Sequence, residues 1–132
     1  MSGRSFELEV LNERLAVSRL DVGAPIPHWA TEGRFFVVSR TYEELSIVCD
    51  QDVVPADVRA ERDWSCIQVR GPLAFAEVGI LAALANILAT ANISIFAIST
   101  FDTDYLLVQR RDQERATASL RDAGHEVVVR PT

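Results

Sequence analysis

Two carboxylates, Asp102 and Asp104, stand two residues apart in the run Ser99-Thr100-Phe101-Asp102-Thr103-Asp104. A carboxylate beside an ammonium or guanidinium group makes a charge-assisted hydrogen bond, so this run can hold a small cation. The same residue types also suit a plain turn in which the aspartates bond their own backbone, and taken alone they favour the turn. Gly79 is the other candidate. It lies at the start of an apolar helical pattern, where a helix offers unpaired N–H groups and the positive end of its dipole to an anion. None of Leu73, Ala74, Phe75, Ala76 and Glu77 is a capping residue type. A residue without Cβ also lets a ligand come close to the backbone. The competing reading gives those amides to water or Glu77 and makes Gly79 a helix-packing glycine.

Other chemistries find no footing. His28 and His125 are far apart and have no Cys, Asp or Glu at metal-ligand spacing, so no metal site is expected. No Gly-rich phosphate loop, G-x-S-x-G elbow or Cys/His nucleophile pair is present, and no cofactor is implied. Both histidines read as surface residues: His28 follows a proline in a turn, and His125 follows a helix-ending glycine. A small ferredoxin-like phosphatase would need an arginine between Gly71 and Glu77, and none is there.

The 132 residues carry a net charge of −6, with 48% hydrophobic and 24% charged residues. This is a globular composition, and its acidity argues against a nucleic-acid partner. Arg110-Arg111 is followed at once by Asp112 and Glu114, and reads as a solvated strand end. Residues 1–11 do not have the pattern of an export signal. The most apolar stretch, Val78 to Ile98, is interrupted by Asn86, Thr90, Asn92 and Ser94 and is not a membrane span. Cys49 and Cys66 lack C-x-x-C spacing and read as buried, reduced thiols, which fits a cytoplasmic protein.

The elements that must position the candidate residues follow from periodicity. Residues 15–21, 35–40 and 45–49 have strand character, the last two joined by a hairpin at Thr41-Tyr42-Glu43-Glu44. Pro27 can open a single helical turn through Trp29. Residues 50–63 are a polar connector. Residues 64–70 predict a strand whose pairing ends at Gly71-Pro72, and residues 78–91 a helix with the stripe Val78, Leu81, Leu84, Ile87, Leu88 and Ala91. Asn92 suits a left-handed cap. Strands follow at 93–100 and 105–110, then a helix at 113–123 with Asp112 as N-cap, Ala116, Leu120 and Ala123 as its buried stripe, and Gly124 as its stop. A last strand takes 126–130. The strand at 93–100 is apolar on both faces, which predicts that both are covered, the second by the first module or by a second chain. Trp29 and Trp64 read as core or interface aromatics.

The second half is thus β-α-β-β-α-β, the ferredoxin-like order. The first half is a truncated β-turn-β-β. The fold class expected is α+β, two ferredoxin-like modules at 12–63 and 64–130, with antiparallel sheets and helices on one face.

Two stretches, GRFFVVSRTYEELSIVCD at 33–50 and NISIFAISTFDTDYLLVQRRD at 92–112, resemble the ACT-domain family of amino-acid sensors, which includes the cytosolic arginine sensor of animals and small bacterial relatives. The resemblance covers residues 15–130. It implies tandem ACT modules, a free amino acid held at a module interface, and no catalysis. It also assigns Thr100, Phe101 and Asp104 to the ligand-contacting run, and Ser94 and Ile95 to further contacting positions on the strand after the first helix. With Gly79 these form the expected binding set. The animal sensor resembles two copies of this chain joined end to end, so a homodimer is expected here. A cationic or neutral amino acid is the expected ligand; a pure protein–protein assembly module is the alternative.

Overall fold

The computed structural model describes residues 5–71, 73, 74 and 78–131. Expectations touching Pro72 and Glu77 lie outside the described residues. The chain order is β1 (Glu7–Leu20), β2 (Val37–Arg40), β3 (Leu45–Asp50), β4 (Ala60–Val69), α1 (Ile80–Thr90), β5 (Ile95–Ser99), β6 (Asp104–Gln109), α2 (Gln113–Asp122) and β7 (Glu126–Val129). Short 3-10 turns lie at His28–Thr31, Gln51–Val53 and Arg110–Asp112. The class is α+β. Two compact units divide the chain, one of Glu13–Trp64 and one of Met1–Asn12 with Ser65–Thr132.

In the Glu13–Trp64 unit, β3 is central between β2 and the second half of β1, antiparallel to both, with Leu15 opposite Asp50 and Val37 opposite Val48. Ala16, Ala30, Leu45, Ile47, Cys49 and Val54 form its buried core. Thr41 closes the β2–β3 hairpin. Its N–H donates to the Glu44 carbonyl at 2.9 Å, and its hydroxyl accepts from the N–H groups of Glu43 and Glu44. The polar connector is organised by one side chain, since the Arg62 guanidinium donates to the carbonyls of Gln51, Val54 and Pro55.

In the other unit the strand order is β7-β1-β4-β6-β5. The first half of β1 pairs in parallel with β7, Glu7 opposite Glu126 and Val10 opposite Val129. The Arg70 N–H reaches the Glu7 carbonyl on β1's other side at 2.8 Å. Alternate residues Leu8, Val10, Ile67, Val69, Leu106, Val108 and Val127 share one buried cluster with Ile80, Leu84 and Leu88 of α1 and Ala116 and Leu120 of α2. Both helices therefore pack on one face, as alternation along the strands requires.

Several expectations need correction. The first strand begins at Glu7, not residue 15: Leu8 and Val10 point inward between outward Glu7 and Glu9, an alternation masked by charge. It lies between β4 and β7, so the ferredoxin-like chain order is not matched by a plain ferredoxin-like sheet order. β4 begins at Ala60 rather than residue 64. Val78 is 88% exposed and precedes the helix, whose buried line is Ile80, Leu84 and Leu88. Asp112 holds the N-cap position of α2 as expected, but its side chain makes no capping hydrogen bond; its carboxylate pairs with Arg115 at 2.9 Å. Ala123 is exposed, and Thr117 takes the buried place. Within one chain β5 is covered only in part: Ile98 is buried, Ile95 and Phe96 are half-buried, and Ala97 is exposed. His125 is buried, not superficial, whereas His28 is exposed and pairs with Glu32.

Asn92 and Gly124 do end their helices with positive φ, 61° and 98°. Trp64 is buried, and Trp29 packs against the core of the Glu13–Trp64 unit. Among the described residues no helix is long and apolar enough to cross a membrane. Cys49 and Cys66 are both reduced thiols and fully buried. Burial, and then the charge of Asp50, pushes the Cys49 thiol up to about 11. A thiolate is the reactive species, so neither cysteine should react with a disulfide reagent at pH 8 in the folded chain. Both should titrate after unfolding in guanidinium. Reaction of Cys49 in the native protein at a rate comparable to a free thiol would contradict its placement.

Candidate functional site

A concavity of about 720 Å³ lies within the unit that holds both helices. That volume falls in the range of about 300–1,000 Å³ usual for small-molecule sites. One wall is the start of α1, with Gly79, Ile80, Leu81, Ala82 and Ala85; Leu73 and Ala74 adjoin it. The opposite wall is the β5–β6 turn, Ser99 through Asp104.

The helical wall is made of backbone and small side chains for a reason. Gly79 is the N-cap residue and sits at φ 84°, a left-handed conformation that costs any residue with a Cβ. A Cβ there would meet nothing within 4 Å, so the backbone angle, not crowding, is what calls for glycine. Ala82 and Ala85 keep the next turn low.

The turn is locked from inside. The Thr100 N–H donates to the Thr103 carbonyl at 2.8 Å, and the Thr100 hydroxyl donates to the same oxygen at 3.0 Å. Buried Thr103 donates its hydroxyl to the Val69 carbonyl at 2.6 Å. The Leu73 N–H donates to the Asp102 carbonyl at 2.7 Å. Gly71 permits this close approach, because a Cβ there would lie 3.1 Å from the Asp102 oxygen and 3.2 Å from the Thr103 Cβ. The end of β4 and the turn are thereby held edge to edge at the bottom of the concavity.

Asp104 opens β6 opposite Ser99 and accepts a hydrogen bond from the Ser99 hydroxyl at 2.6 Å. This uses one carboxylate oxygen and orients the other. Asp102 is exposed, and Phe101 is 78% exposed, giving the wall an aromatic surface. Burial, with Cys66 and Asp102 adding to it, raises the neighbouring Tyr105 phenol above its usual value and keeps it protonated. The described lining residues include two carboxylates and no Lys, Arg or His. Such a wall favours a cationic group and disfavours an anionic one.

Of the residues singled out from the sequence, Gly79, Thr100, Phe101 and Asp104 line this one concavity, together with Asp102. Ser94 and Ile95 do not. Ile95 begins β5 opposite Val108, whereas Ser99 at the other end lies opposite Asp104. Four residue-to-residue steps of about 3.3 Å each separate the two ends, roughly 13 Å. Ser99 and Thr103 entered the sequence analysis only as part of the acidic run and Gly71 only as a strand end, none with a role in the site. Their signals were available: a serine at the head of the run, a threonine between its two aspartates, and a glycine closing the strand before it.

The sequence profile of the ACT domain matches residues 59–122, and a second profile, described as an N-terminal domain, matches residues 13–57. The crystal structure of a protein from Agobacterium tumefaciens is similar over 98% of this chain and 97% of that one, with 41% identity and a TM-score of 0.93. This chain belongs to the ACT-domain family. It is also similar to the human cytosolic arginine sensor for mTORC1 subunit 1, at 39% identity in an alignment 82 residues long that covers 56% of this chain and 25% of the sensor. The ACT-domain chain thus aligns with about a quarter of the length of the curated relatives it matches. The regulatory subunit of aspartate kinase from Thermus thermophilus shares the fold, with a TM-score of 0.62 at 12% identity over 89% of this chain and 97% of that one.

Proposed function

We propose that this ACT-domain chain is a non-catalytic regulatory protein that binds a free amino acid in the concavity between the start of α1 and the β5–β6 turn. The observation that carries the reading is the lining itself: a side-chain-free helix start at Gly79 facing an oriented carboxylate at Asp104. A free amino acid carries both signs of charge, and its carboxylate suits the first while its ammonium or side-chain cation suits the second. The described lining holds no cysteine, histidine or lysine that would serve as nucleophile or general base. The kinship with an arginine sensor supports an amino-acid ligand. The two acidic side chains support a cationic or neutral one.

The same reading takes residues 12–63 and 64–130 as two ACT-like modules and the working form as a homodimer. β5 ends the strand order, and no described strand pairs with its outer edge. Antiparallel pairing of two β5 strands about Ala97 sets Ile95 of one copy opposite Ser99 of the other. This brings Ser94 and Ile95 of a second copy to the mouth of the concavity that they cannot reach within one chain.

Thermal shift in the presence of single amino acids tests the reading. A ligand at a hundred times its Kd adds about 2.7 kcal/mol to stability, several degrees in Tm. Arginine, lysine or a neutral amino acid is expected to raise Tm above the effect of aspartate and glutamate. No shift with any amino acid would favour the assembly module instead, and a shift with aspartate or glutamate alone would show the wall's charge to be misread. Sedimentation at micromolar concentration is expected to give a dimer; monomer with and without ligand would remove the β5 pairing.

A further inference from the structure

Away from the concavity, the chain's second histidine sits in a contact that no ligand reading uses. His125 follows the left-handed Gly124 and lies between the end of α2 and the start of β7. It is 7% exposed. Its Nδ1 accepts a hydrogen bond from the Phe6 backbone N–H at 3.0 Å, and its ring stacks on the Phe6 ring with centroids 5.6 Å apart and planes 19° off parallel. The Phe6 carbonyl in turn accepts from the Glu126 N–H at 3.0 Å. Phe6 is thus the first rung of the parallel β1–β7 ladder, which then runs from Glu7–Glu126 to Val10–Val129. One residue earlier, the Ser5 hydroxyl donates to the Gly124 carbonyl at 2.8 Å.

An imidazole nitrogen that accepts from a backbone N–H carries no proton, so neutral His125 is held in its Nε2–H form. Protonation places a hydrogen on Nδ1. Two donors then face each other across the Phe6 contact, inside a site with little water to relieve them. We propose that the His125–Phe6 contact is a proton-operated latch: neutral His125 holds the entrance of β1 against β7, and its protonation releases residues 5 and 6 from the ladder. This device is independent of the amino-acid site.

The surroundings fit. The charged groups nearest in sequence to Phe6 and His125 on the elements around the ring are Glu7 on β1, Glu126 on β7, and Arg121 and Asp122 at the end of α2; Glu9, Glu13, Arg14 and Arg19 lie further along β1, Glu114 and Arg115 at the start of α2, and Arg4 lies outside the described residues. Glu7, Glu126 and Asp122 are exposed, and the Arg121 guanidinium is taken up by the Val127 carbonyl at 2.6 Å. Burial is the cause that lowers the imidazole below its usual value of 6.5. A base whose folded pKa lies below its unfolded one contributes stability that is complete above the unfolded value. That contribution declines as pH falls through the unfolded value towards the folded one.

Amide exchange and imidazole nitrogen shifts, recorded by NMR on the whole chain from pH 7.5 to 5, test the latch. At pH 7.5 His125 should be in the Nε2–H form. As it titrates, the Phe6 amide should lose at least ten-fold in protection factor, while the Arg130 amide, bonded to the Val10 carbonyl at the far end of the same ladder, keeps its own. In His125→Gln the pH dependence of Phe6 protection should vanish, whether the glutamine oxygen recovers the bond or leaves it broken throughout. Phe6 protection that stays constant while His125 titrates would overturn the latch. So would a His125 that titrates above 6.5, or a His125→Gln chain that keeps the wild-type pH dependence.

Discussion

Leu84→Ala is expected to destabilise the chain by about 2–5 kcal/mol, while Val78→Ala should cost well under 1 kcal/mol. Leu84 is fully buried at the centre of α1 and packs in the cluster that joins Leu8, Val10 and Ile67 to Leu120 of α2. Removing most of its side chain forfeits transfer free energy and leaves a cavity that the strands cannot close. Alanine is a better helix former than leucine, so no part of the loss comes from helix propensity. Val78 is 88% exposed and lies outside the helix, so its truncation deletes little buried surface. Urea unfolding of both variants checks the pair. Similar losses would restore the stripe expected from periodicity, with Val78 at its head, and would contradict the observed start of α1 at Ile80.

That contrast shows what could be read from the sequence. Periodicity located α1, α2 and most strands because each buries a repeating apolar face. It failed where charge interrupts the pattern, as at Glu7 and Glu9, where Leu8 and Val10 still point inward. It also failed at boundaries set by backbone geometry: Gly79 at φ 84° starts α1 two residues after the apolar run begins. The acidic turn was legible from its residue types, but not its anchoring. The bond from Thr103 to the Val69 carbonyl spans 34 positions, and nothing local announces it. His125 was misread for the same reason. Its partner, Phe6, lies 119 residues away, and a histidine after a helix-ending glycine carries no mark of burial. The separation of Ser94 and Ile95 from Thr100, Phe101 and Asp104 follows from strand rise alone; the open edge of β5 required the strand order.

Asp104→Asn should weaken amino-acid binding by ten- to a hundred-fold and leave the melting temperature of the free chain nearly unchanged. The Asp104 carboxylate accepts from the Ser99 hydroxyl at 2.6 Å, and an asparagine oxygen can keep that bond. What asparagine cannot supply is the negative charge that Asp104 adds to the lining of the concavity. Its amide also brings N–H donors towards a ligand cation that needs acceptors. Losing a charge-assisted hydrogen bond in a half-buried site costs about 1.5–3 kcal/mol, which is the stated loss in affinity. Stability is spared because the turn is closed by Thr100 and Thr103, not by Asp104. Asp102→Asn is the control: its side chain is exposed, so a smaller loss is expected. Calorimetry with arginine and with a neutral amino acid, beside melting curves of the free variants, separates the outcomes. Equal losses at both positions would mean that the acidic turn acts through its summed field. An unchanged affinity in Asp104→Asn would take Asp104 out of the site. A large fall in the ligand-free melting temperature would make its bond to Ser99 a structural clasp of the turn.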